Sequence, residues 1–88
     1  MPLSLADLPD RSRATVRAVV ANDPSLDAGH LRRLEELGFL PGEPVCVLRR
    51  GPGGQEPLAV AVGGTLFALR LRESRCIEVD LLPTRNAP

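Results

Sequence analysis

Apolar and polar positions begin to alternate at Arg13. In RATVRAVV, Ala14, Val16, Ala18 and Val20 fall on one side and Arg13, Thr15, Arg17 and Val19 on the other, the period-two pattern of a half-buried strand. Ahead of it, Leu5 and Leu8 are one turn apart and Pro9 follows, so residues 1–10 predict a capped lead-in tucked against the body. Behind it the period lengthens. Leu31, Leu34 and Leu37 recur at every third position while Arg32, Arg33, Glu35 and Glu36 fill the other side, which predicts an amphipathic helix of about three turns. Asp23 or Ser25 can cap its start, with Pro24 in the first turn, and Asp27 offers a second starting point. Gly38 suits the left-handed residue that ends it.

The remainder reads as strands and turns. Pro41 and Gly42 are the favoured central pair of a type II turn. PVCVLRR then places Val45 and Val47 inward with Cys46 and Leu48 opposite, and GPGGQEP is a loop. LAVAV and TLFALRL are two strands joined by Gly63 and Gly64, a two-residue hairpin signal. RESR predicts a short turn, and CIEVDLL a last strand with Ile77 and Val79 inward, which turns Cys76 and Glu78 outward. The expectation is an all-β domain over residues 1–82, a small SH3-like five-stranded barrel with one inserted helix, followed by a tail at 83–88.

Composition narrows what such a domain can do. Eleven basic and eleven acidic side chains balance, which removes the electrostatic attraction behind most non-specific nucleic-acid binding. Tyrosine and tryptophan are absent, against base stacking and against an aromatic groove for proline-rich peptides. The chain opens without a basic, apolar leader, and nothing in it approaches the ~20 apolar residues of a membrane span. A cytoplasmic protein with no membrane insertion and no nucleic-acid partner is expected.

Catalytic chemistry has no residues to rest on. His30 is the lone histidine, no G-x-S-x-G occurs, and the glycines of GPGG and GG do not fit phosphate-binding patterns. Neither an enzyme nor a cofactor is expected. Asp27 and His30 share a helix face and read as an exposed capping pair; with outward Cys76 and Glu78 they are incidental metal candidates. They could bridge molecules into a weak homo-oligomer, and no metal is needed for folding. Arg32 and Arg33 suit a solvated helix face. Phe39 and Leu40 have two readings: they fold back over the barrel mouth as a helix ending does, or they finish a shallow apolar rim, supported by Leu37 and flanked by Arg32 and Arg33, that a partner can use. The second is the expectation carried forward.

RRLEELGFLPGEPVCVLRR, then EPLAVAVGGTLFALR, then CIEVDLL, resembles the FeoA family, small cytosolic partners of the bacterial ferrous-iron transporter FeoB. Arg33, Leu34, Leu37, Gly38, Pro41, Gly42 and Val45 match its helix-and-turn signature; Pro57, Val60, Val62 and Gly64 its middle strands; Ala68, Leu69, Arg70, Ile77 and Val79 its end. Gln55–Glu56–Pro57 replaces the common G-D-P, and Leu71 and Ser74 replace a charged residue and an alanine. The resemblance implies an SH3-like barrel, no enzymatic activity and a role in iron uptake by contact with the transporter's cytosolic portion. The alternative is an SH3-like regulatory module of the kind found in metal-dependent transcription regulators, which normally follows a DNA-binding helix-turn-helix.

Overall fold

The structure, a computed structural model, describes residues 3–54 and 56–82; the expected tail at 83–88, and Gln55 of the GPGGQEP loop, lie outside them. In chain order the elements are β1 (Leu3–Ser4), β2 (Arg13–Val19), α1 (Ala28–Leu37), β3 (Pro44–Arg50), β4 (Leu58–Val62), β5 (Thr65–Leu69), α2 (Leu71–Ser74) and β6 (Ile77–Leu81). The strands form one antiparallel sheet in the order β1-β6-β2-β3-β4-β5. One face of it is the core: Ala14, Val16, Val45, Val47, Leu58, Val60, Val62, Leu69, Ile77 and Val79 are all buried there, with Leu34 of α1 and Phe39 closing over them.

Two bulges bend this sheet. Pairing shifts between Val16 and Ala18 in β2 and between Val47 and Arg49 in β3. An inserted residue bends a strand and re-aims the side chains beyond it. Val19, expected on the polar side, therefore lies opposite Ile77 and packs against the core. Strict alternation fails at that residue because the strand changes phase.

Two of the predicted turns form as expected. The Glu43 amide donates to the Leu40 carbonyl at 3.0 Å across Pro41 and Gly42, with Gly42 at φ 89°, the type II geometry. Gly63 and Gly64 both have positive φ and Val62 lies opposite Thr65, a two-residue hairpin of the primed kind. The lead-in also forms: Leu5 and Leu8 are buried, and the Asp7 carboxylate accepts from the Ser4 amide and hydroxyl at 2.9 and 3.2 Å. Arg50 pins it to the end of β3, donating to the carbonyls of Ala6 and Leu8 and lying 3.3 Å from Asp10.

Two elements differ from expectation. The sheet has six strands rather than five, because Leu3 and Ser4 pair with Val79 and Glu78; two residues are too few to display an alternation. Leu71, expected to end the strand TLFALRL, and residues 72–74 of the expected RESR turn form α2 instead. Its first amides are satisfied by acids: Glu73 accepts from the Arg70 amide and Glu56, fifteen residues away, accepts from the Leu71 amide, both at 2.7 Å. Leu71 packs at the core margin, and buried Ser74 donates its hydroxyl to the Leu71 carbonyl at 2.7 Å.

Gly42 gives a direct check on the turn. A β-carbon there would meet nothing within 4 Å, so the cost of Gly42→Val is conformational, on the order of 1–2 kcal/mol or more. Thermal melts should place the variant several degrees below wild type, by about 4–8 °C per kcal/mol in a domain of this size. An unchanged melting temperature would mean that the turn does not hold Gly42 at positive φ.

Candidate functional site

The connection between α1 and β3 is built from the helix outward. Asp27 caps α1, its carboxylate accepting from the His30 amide at 2.8 Å, so the helix takes the second of the starting points its sequence offered. At the other end Gly38, at φ 123°, donates to Glu35, and the Phe39 amide reaches back to the Leu34 carbonyl. This pair of bonds is a Schellman ending, and it brings an apolar residue past the glycine onto the last turn of the helix. That residue is Phe39. Its ring centroid is 5.9 Å from that of Phe67, tilted by 50°, and none of it is exposed.

Phe39 is therefore not a surface residue, and the expected pair of rim residues splits. Leu40 alone faces outward, 49% exposed. Leu37 is half-buried against the core, and Arg32 and Arg33 are exposed. Arg33 stands one turn before Leu37 on the same helix face, and Arg32 is rotated from it by about 100°. Leu40 is thus the exposed residue of the hydrogen-bonded turn that follows buried Phe39.

The four incidental metal candidates do not assemble. Cys76 is fully buried rather than outward, because α2 runs into β6 and the alternation starts only at Ile77. Glu78 lies in β6 opposite Ser4 and Ala18. The Asp27 carboxylate holds the His30 amide, not its ring. Among the described residues no three His, Cys, Asp or Glu side chains converge as a metal site.

The His30 ring instead reaches α2. Its Nε2 is 2.7 Å from Glu73 Oε2, a contact across forty-three positions of sequence. Glu73 thus caps α2 through one oxygen and ties it to α1 through the other. Burial works to raise the Glu73 carboxyl, but the Arg70 amide, the His30 hydrogen bond and the charges of His30 and Arg70 outweigh it and hold the group below its ordinary value. A polar cleft lined by Ser25, His30, Arg70, Arg72 and Glu73 opens beside the pair. Sequence reading missed this contact, since only a lone histidine and a helix-capping acid signal it. At the same end, exposed Asp23 is held low by hydrogen bonds from the Ser25 hydroxyl and amide.

The arrangement of helix, glycine stop, turn and six-stranded sheet can be set beside known proteins. The FeoA domain family model matches residues 3–81. The chain belongs to the FeoA family. FeoA of Stenotrophomonas maltophilia, solved with zinc, is 44% identical over 89% of both chains with a TM-score of 0.72; it is described as a procaryotic SH3 domain protein and a candidate ferrous iron transport activating factor. FeoA of Chlorobium tepidum is 34% identical, covering 92% of this chain and 71% of its own, with a TM-score of 0.74. A manganese-dependent transcriptional repressor, 23% identical over 93% of this chain and 44% of its own, has a TM-score of 0.71 and shares the fold alone. Among curated proteins no match was found. Like its FeoA relatives the domain is SH3-like, and no helix among its described residues is long and apolar enough to cross a membrane.

The lowered Glu73 carboxyl sets a pH dependence. A carboxyl depressed in the folded state contributes stability above its unfolded value, and that contribution is lost as pH falls through the folded one. The stability difference between wild type and Glu73→Gln should be full at pH 6 and shrink once pH drops below about 4.5, the group's ordinary value. Denaturant melts at stepped pH measure it. A difference that stays constant down to pH 3 would remove the assigned role.

Proposed function

We propose that this chain is a non-enzymatic cytoplasmic accessory of bacterial ferrous iron uptake, acting by binding the cytosolic portion of a FeoB-type transporter and modulating transport. The observation that carries this reading is the FeoA match over residues 3–81 together with a 44% identical relative described as a candidate ferrous iron transport activating factor. The repressor likeness supports only a shared fold, so the regulatory-module alternative gains nothing from it.

The contact surface we assign is the end of α1: Leu40 as the anchor, Leu37 beside it, and Arg33 and Arg32 as its charged border. Phe39 serves it from beneath, fixing the turn rather than touching the partner. A half-exposed leucine on a turn held by two positive-φ glycines loses little conformational freedom when it docks, and this favours affinity.

Truncating an apolar anchor at a protein interface costs about 2 kcal/mol or more, roughly thirtyfold in affinity. Removing a border arginine acts mainly on association rate and salt dependence. Calorimetric titration against the transporter's cytosolic region should therefore show Leu40→Ala weakened more than Arg32→Ala, both with near-native melting temperatures. Wild-type binding by Leu40→Ala would move the interface elsewhere, and the GPGGQEP loop would be the next surface to test.

A further inference from the structure

The sheet ends in an open edge. β5 pairs with β4 on one side, and among the described residues no strand pairs on the other. The hairpin decides which of its backbone groups are free. In a two-residue hairpin the flanking pair, here Val62 and Thr65, is hydrogen-bonded, and bonded pairs then alternate. Thr65, Phe67 and Leu69 spend their amides and carbonyls on β4, while Leu66 and Ala68 aim theirs outward.

Natural edges are usually blunted by charge, proline, a bulge or great shortness. β1, the other edge, is only two residues long. Thr65–Leu69 carries no charge and no proline, and its pairing with β4 has no shift; both bulges lie in inner strands. Leu66 is also 65% exposed, the most of any large apolar side chain among the described residues. On the outer face it continues a row through Ala61 and Cys46, its neighbours in register.

We propose that this edge seats a second copy of the chain, β5 against β5, antiparallel about a two-fold axis at Phe67. That register sets Leu66 of each copy opposite Ala68 of the other and uses every free group of both strands, four hydrogen bonds in all. Sliding to pair Ala68 with Ala68 would set Leu66 against Arg70, whose amide is already held by Glu73. The proposed register instead brings Arg70 opposite Gly64 of the second copy. Glu43 lies at that hairpin, its Oε1 3.7 Å from where a Gly63 β-carbon would be. The basic end of each strand thus meets the acidic end of the other, twice by symmetry. So small a contact belongs to the weak, reversible class.

Self-association is measured on the chain alone and does not depend on the transporter reading. Sedimentation velocity from micromolar to millimolar concentration should show a monomer–dimer equilibrium, and the exchange of the Leu66 and Ala68 amides should slow as dimer forms. Leu66→Lys, at an exposed site, should weaken association by about tenfold or more by placing charge on the paired edge. Arg70→Glu should also weaken it, and adding Glu43→Arg should restore it. A monomer at every concentration, or a dimer indifferent to Leu66→Lys, would overturn the proposal. So would protection of the two amides that appears only when the transporter's cytosolic region is added, which would give the edge to a different occupant.

Discussion

Phe39 can reach the core only because the chain reverses on both sides of it. Gly38 and Gly42, four residues apart, both take positive φ, a region in which a side chain is strained and glycine is not. The first ends α1 and points Phe39 inward, and the second turns the chain into β3. Complete burial of a phenylalanine contributes about 1.5–3 kcal/mol, a large share of the margin available to a domain this small. Its ring packs beside Phe67 of the sheet while its amide bonds the Leu34 carbonyl of the helix, so the same residue seals the core and ties down the end of α1.

That constraint shapes the outer surface too. With Phe39 committed inward, Leu40 is left outward on a turn that cannot easily relax. The Gly42 amide donates to the Val16 carbonyl and the Val16 amide to the Glu43 carbonyl, both at 2.8 Å, so the turn is hydrogen-bonded into the sheet as well as to the helix. At the far end of α1, His30 and Glu73 supply a second tie, to α2. The helix is held at both ends by different physics: apolar packing at its C-terminus and a charge-assisted hydrogen bond near its start.

Period-two and period-three patterns revealed most of this fold. The inward faces of β3 and β6, the hairpin at Gly63–Gly64, the type II turn and the buried lead-in leucines all follow from local chemistry. What escaped was set by distant partners or by shifts of phase. β1 exists because β6 offers it an edge, α2 because Glu56 arrives from another loop, and Val19 turns inward because a bulge precedes it. Cys76 is buried, against expectation, because alternation does not extend back from β6 into the turn that follows α2. Leu37, Arg32 and Arg33 lie in α1 as the helical spacing predicts, but a phenylalanine after a helix-ending glycine can point either way, and its packing against Phe67 decides the direction.

An amphipathic helix, a balanced formal charge and a leucine presented on a hydrogen-bonded turn suit the proposed role in contact with another protein. The most direct measurement is ferrous iron uptake in cells that hold the FeoB-type transporter at constant level, with and without this chain. The account predicts that uptake changes when the chain is removed and returns to its former level when the chain is supplied again. Equal uptake in both would contradict it.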